Sequence, residues 1–264
     1  MAGTSEAIDA GPRAAELVPL LAAGLGEPDP DDRPRASRLG GWVARLLASE
    51  AAPRPWEIFK VRRMDDGGFF RRWQIAMVFV FGEPRLEGAM LPSRGSFGVF
   101  ALATSGGRGG PGEGVAAVSR ALYLSRRRRH FAEVLRSEGR SLAEASAPLL
   151  AAIVMEALGR RGDAGHVVVE AAGQIKGFGY HYGADGYEAD MRELRRCAAS
   201  VEPARIAEDD AGWSLTCCTV YGPEHDKRAL LRHEVRVRRG DGAITLRSHA
   251  LSRAIFRRVP DLVY

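Results

Sequence analysis

Cysteine is scarce in this chain, with three residues in 264, and two of them, Cys217 and Cys218, are adjacent. Three thiols so placed cannot build a disulfide framework, and a reducing, cytoplasmic setting is expected. Met1–Glu6 has neither the basic nor the apolar region of a signal peptide. Long hydrophobic runs are lacking as well. Trp73–Phe81 is too short to span a bilayer as a helix, and Leu142–Leu158 is interrupted by Glu144, Pro148 and Glu156, so no membrane partner is expected. No CxxC or HxxxH spacing supplies metal ligands, and neighbours in a strand point to opposite faces, which keeps Cys217 and Cys218 from sharing an ion. No metal site is expected, and no motif names a cofactor. Lysine is almost missing: Lys60, Lys176 and Lys227 are the three among 38 basic residues.

Arginine fills that place and sets the net charge at +5 and the pI near 9.4. A basic balance points to an anionic partner, nucleic acid first among them. The abundance of Ala, Gly and Pro gives a second source for arginine, a GC-rich coding sequence. Apolar residues at 45% and charged residues at 27% describe a globular chain.

Periodicity predicts an α+β fold with mainly antiparallel sheet regions flanking a helical hairpin, after a flexible N-terminal arm. Residues 1–37 form the arm and linker, since Gly26–Arg35 is rich in Pro and charge. Residues 38–264 are expected to form a single α+β domain. Helices are expected at Ser37–Ser49, Val115–Arg136, Ser141–Leu158 and Tyr187–Ala199. Strands are expected at Trp56–Arg63, Phe69–Phe81, Phe97–Thr104, His166–Ala171, Gln174–Tyr182, Trp213–Tyr221, Ala229–Arg239 and Ala243–Leu251. Apolar residues on both faces of Trp73–Phe81 mark a central strand covered on both sides. Asp65 to Gly68 suit a hairpin turn.

Two arginine clusters lead the site candidates. A two-residue turn at Asp241-Gly242 places Arg236 opposite Arg247 and gathers Arg232, Arg236, Arg238, Arg247 and His249 on one face, with Glu234 as the one acid there. Like charges so placed ask for a counter-charge such as phosphate. The block Arg126, Arg127, Arg128, Arg129, followed by His130, is expected inside a helix and adds to that basic surface.

The third candidate is Gly173–Cys197, rich in glycine and carrying Phe178, Tyr180, Tyr182 and Tyr187 around His181. A pocket at residues 173–187 would make His181 the catalytic acid–base residue and the tyrosines ligand contacts. Locally, Tyr180-His181 with Gly186-Tyr187 is similar to the histidine and tyrosine elements of diphtheria-toxin-type ADP-ribosyltransferases, without the small hydroxyl residue that family has after its His-Gly. Glu170, Gln174 and Lys176 resemble in part the acid-x-Lys arrangement of metal-dependent nucleases, with glutamine at an acidic position. Gly107–Gly112 fits GxGxxG, but the dinucleotide fold needs a second parallel strand that this pattern does not offer, so it is read as a connecting loop. Cys197 shares a helical face with Met191, Leu194 and Val201 and is read as a buried thiol, and His233 as a satisfied core histidine.

The leading expectation is therefore a basic protein that binds an anionic partner, chiefly nucleic acid, through arginine-rich strand and helix surfaces. The alternatives are an enzyme, transferase or hydrolase, with its pocket at residues 173–187, and an interaction or assembly subunit, including a homo-oligomer, docking through the aromatic segment.

Overall fold

The computed structural model describes residues 7–9, 17, 20–21, 23–24, 59–80, 96–104, 118–159, 165–178, 192, 195–222, 227–252 and 255–256. The chain is α+β, with two antiparallel sheets and a few helices, and it divides into two compact units, Met1–Arg140 and Ser141–Tyr264. Among the described residues no helix is long and apolar enough to cross a membrane.

In the first unit, five strands pair in sequence order: β1 (Ala7–Asp9), β2 (Phe59–Arg63), β3 (Trp73–Val80), β4 (Ser96–Thr104) and β5 (Val118–Tyr123), followed by helix α1 (Arg128–Glu138). β3 is central, as its two apolar faces require: Ile75 and Ala76 are both buried although they point to opposite sides. The same holds for Val99 to Leu102 in β4. Gly98 leaves the space that the Tyr123 ring occupies, since a Cβ there would stand 2.5 Å from the ring. Leu17 and Leu21, helical residues, are buried, and Gly24 lies against the Ala121 carbonyl.

β2 and β3 form the expected hairpin, but the turn runs from Met64 to Arg72 and β3 begins at Trp73. Buried Asp66 organises it by accepting from the N–H groups of Gly68 (3.0 Å) and Phe70 (3.1 Å). Gly67 and Gly68 both take positive φ, 60° and 80°, which side chains disfavour.

A helix was expected over Val115–Arg136, and the structure corrects this. Val118–Tyr123 is a strand paired to β4, and the helix begins at Arg128. The apolar spacing of Val118, Ala121 and Leu122 suits either period, and ladder bonds to β4 decide it. Gly107–Gly112 lies outside the described residues, but the elements on either side are antiparallel strands, not the strand and helix of a dinucleotide site.

In the second unit, helix α2 (Ala147–Val154) runs into a π turn at Met155–Gly159. The sheet has the order β10-β9-β8-β6, from β6 (Gly165–Val169), β8 (Gly212–Gly222), β9 (Lys227–Arg238) and β10 (Ile244–Ala250). β7 (Arg205–Asp209) also pairs with β8, and β11 (Ile255–Phe256) with β9. α2 packs on β6, β7 and β8 through an apolar surface that includes Ile153 and Val154. The opposite face is covered over Val169, Cys218, Val220 and Leu230 by Ile175, Cys197 and Ala198. Cys197 is thus the buried thiol expected, with Val201 packed beside it.

The strand expected at Gln174–Tyr182 is also corrected, because Ala172–Phe178 is a 3-10 helix. Local bonds favour the tight turn: the Gln174 side chain accepts from the Glu170 N–H (2.6 Å), and the Gln174 N–H donates to the Ala171 carbonyl.

Candidate anion-binding site

A shallow, open cleft of about 420 Å³ lies in the first unit, lined among the described residues by Arg71, Arg72, Trp73, Ala103, Ser119, Arg120 and Ser137. Three of these residues are arginines, and among the described residues that line it none is acidic. The loop that carries three of its lining residues is held by a carboxylate. Glu138, buried at the last residue of α1, accepts from the N–H groups of Arg71 (2.9 Å), Arg72 (2.9 Å) and Trp73 (3.2 Å). A negative charge at a helix C-terminus opposes the helix dipole, and these three donors offset that cost. The bonds pin the loop, so the Arg71 and Arg72 side chains leave it from a fixed base. Both residues are exposed, and among the described residues no side-chain partner engages either guanidinium.

Arg120 reaches the cleft from β5. The β4–β5 register shifts there: Ala103 pairs with Arg120 and Thr104 with Val118, so Ser119 is passed over. A bulge of this kind re-aims the neighbouring side chain. Arg120 lies over the Trp73 ring, 5.8 Å from its centroid, and bonds Glu133 at 2.7 Å. That pair is solvent-exposed, and such pairs are worth only about 0–1 kcal/mol. The Trp73 indole N–H donates to Ser137 (2.7 Å), whose hydroxyl donates to the Val134 carbonyl (2.8 Å). Trp73 itself is 5% exposed.

The four-arginine block does not form one helix face. Arg126 sits in a turn with φ 61°, Arg127 is the buried N-cap of α1, and the helix starts at Arg128. His130 donates from Nδ1 to the Tyr123 carbonyl (2.7 Å). Arg129 is the member that joins the cleft's side of the helix, since Arg129, Glu133 and Ser137 recur at i, i+4 and i+8.

The hairpin of β9 and β10 has the faces expected of it but a different register. Arg236 lies opposite Thr245 and Arg247 opposite Glu234, because the loop holds four residues, Arg239 to Gly242. The clash between Arg236 and Arg247 therefore does not arise. Acids meet most of the ribbon: Arg236 bonds Glu234 (2.7 Å), Arg232 bonds Glu202 (3.6 Å), Arg238 bonds Asp241 and Arg239 bonds Glu208. Hydrogen bonding from Arg236 holds the Glu234 carboxyl below its usual range, and Arg238 does the same to Asp241. Residues 141–264 hold 17 basic and 17 acidic side chains, whereas residues 1–140 hold 21 and 16. The whole net charge thus belongs to the first unit.

A second polar cluster crosses the sheet of the second unit beside α2. The Gly159 carbonyl can only accept, so His166 donates to it from Nε2 (2.7 Å). With neutral rings, the Thr219 hydroxyl then donates to His166 Nδ1 (2.9 Å), Thr219 accepts from His233 Nε2 (2.7 Å), and the Ser248 hydroxyl donates to His233 Nδ1 (2.8 Å). One assignment satisfies every link, and His233 is the satisfied core histidine expected. Cys217, beside His233 in the pairing, is pushed up to about 12, first by burial and then by Cys218, so its thiol stays un-ionised and a poor nucleophile.

Tyr180, His181, Tyr182 and Tyr187 lie outside the described residues. Glu170 accepts from the Ala204 N–H (3.1 Å), and among the described residues no three His, Cys, Asp or Glu gather as a metal site. Sequence reasoning missed Arg71, Arg72, Arg120 and Glu138. The signal available was the pair Arg71-Arg72 set between Phe69-Phe70 and Trp73, charge inside an apolar run. Compared with known proteins, the chain matches no family model, no curated protein and no solved structure.

Proposed function

We propose that the protein binds a phosphate-bearing polyanion, nucleic acid first, through the arginine cleft of the first unit. The carrying observation is that Arg71 and Arg72 stand on a loop pinned by Glu138 and that, among the described residues, no acid engages their side chains. Arg120 adds a third cation that a phosphate can take from Glu133, since guanidinium forks match phosphate oxygens and the pair to be replaced is weak. The ribbon Arg236, Arg238 and Arg247 is a lesser contributor in this reading, because acids already meet it. The arms of binding are phosphate contacts, which position a strand without reading its bases. The enzyme and assembly readings draw on His181 and its neighbouring tyrosines, and no observation favours them.

With three phosphate contacts on a single strand, the logarithmic salt slope is expected near −2, a loss of about 20-fold between 50 and 200 mM salt. Glu133→Gln frees Arg120 and is expected to raise affinity for a labelled oligothymidylate by roughly two- to five-fold. Glu234→Gln, in the second unit, leaves it unchanged. Fluorescence anisotropy reads both, and an affinity that falls in Glu133→Gln, or no binding at low salt, overturns the reading.

A further inference from the structure

The cleft's dimensions and donors narrow the ligand further, on the premise that it is an anion site at all. We propose that it takes a terminal phosphomonoester, the phosphorylated end of a strand or a free phosphate ester, in preference to a phosphodiester within a strand.

A strand held along its length needs a groove that tracks the backbone. This site is a local, open depression of about 420 Å³, a volume within the roughly 300–1,000 Å³ of small-ligand sites. The donor inventory points the same way. Three arginines line the cleft, Arg71, Arg72 and Arg120, each with a guanidinium to offer. A phosphomonoester brings three terminal oxygens and close to two negative charges at neutral pH, one oxygen for each guanidinium. An internucleotide diester offers two such oxygens and one charge. The backbone N–H groups of Arg71, Arg72 and Trp73 are occupied by Glu138, so the side chains carry the recognition. Ser137 is also spent, because its hydroxyl donates to Val134 and accepts from Trp73. Among the described lining residues Ser119 is the remaining hydroxyl; its bond to the Ala103 carbonyl is long, 3.4 Å, and easily exchanged for a phosphate oxygen. Among the described residues that line the cleft, none is placed to select a base. Trp73 is buried with Arg120 over its ring, which leaves no aromatic face for stacking.

The test uses the full chain and three probes: a short oligothymidylate with a 5′-phosphate, the same oligomer with a 5′-hydroxyl, and thymidine 5′-monophosphate. The phosphorylated oligomer is expected to bind about ten-fold tighter than its hydroxyl twin near pH 7.5, a difference that shrinks toward pH 5.5 as the monoester dianion takes up a proton and becomes a monoanion. The ratio is expected to fall to about one in Arg71→Ala/Arg72→Ala, the loss of two charge-assisted contacts. If the monophosphate competes as well as the phosphorylated oligomer, the site serves a free phosphate ester and the proposal stands. Equal binding of the two oligomers overturns this proposal and leaves polyanion binding intact. Binding of none of the probes overturns both.

Discussion

Glu138→Ala is expected to cost about 3 kcal/mol of folding stability and to weaken polyanion binding by about ten-fold, the largest paired effect of any single change in the first unit. The carboxylate accepts three backbone N–H bonds, from Arg71, Arg72 and Trp73, which lie 67, 66 and 65 positions earlier at the start of β3. Bonds to a charged acceptor contribute about 1.5–3 kcal/mol each, and their loss leaves donors that reach water only in part. The methylenes lost with the side chain add a small packing cost. Because those same N–H groups belong to Arg71 and Arg72, the loop that presents the two guanidiniums loosens at the same time. Glu138→Gln keeps the shape and one acceptor oxygen and is expected to fall between wild type and alanine in both readouts. Urea denaturation and oligonucleotide binding measured on the same samples check this. Full stability in Glu138→Ala would remove the three Glu138 hydrogen bonds from the account, and lost stability with unchanged binding would separate the loop from the ligand.

Thr219→Val is expected to destabilise the second unit by about 2–4 kcal/mol, although valine matches threonine in volume. The hydroxyl bonds both His166 and His233, and Thr219 is fully buried, so water cannot take its place. A buried polar chain is costly when half satisfied, because the desolvation of the remaining groups is no longer offset. Thr219→Ser keeps the hydroxyl and is expected to lose only about 1 kcal/mol, the methyl's share. The contrast between the two variants distinguishes a hydrogen-bond effect from a packing effect. Equal stabilities of valine and wild-type proteins would mean that the relay carries no net stabilisation.

The elements legible in the sequence are those whose signal is local. β3, β4, β8, β9 and β10 announce themselves by apolar and β-branched runs between turn residues, and each forms within a few residues of its expected range. The outward, basic face of the β9–β10 hairpin was legible even though its register was not. The true pairing is displaced by two residues, which preserves every face, whereas a displacement of one would have inverted them. β7 was missed because Arg205–Asp209 carries one sizeable apolar residue, Ile206, and owes its strand form to pairing with β8.

The candidate site was far less legible, for a physical reason. A run such as RRRRH shows charge, but not which charges are met by acids from elsewhere. The ribbon's partners Glu202 and Glu208 come from outside its hairpin, and Arg120 and Glu138 reach Arg71–Trp73 only through the folded sheet. Charge count by unit is readable from the sequence once the boundary after Arg140 is known, and it assigns the net positive charge to the first unit.

The most direct measurement compares two double variants, Arg71→Ala/Arg72→Ala and Arg236→Ala/Arg247→Ala, in oligonucleotide binding across about 50–200 mM salt. The account predicts that the first loses on the order of 30–100-fold in affinity at low salt and lowers the magnitude of the salt slope by about 1.4, while the second changes neither by more than about two-fold. A ribbon variant that loses binding while the loop variant keeps it would contradict the assignment of the anion site to the first unit.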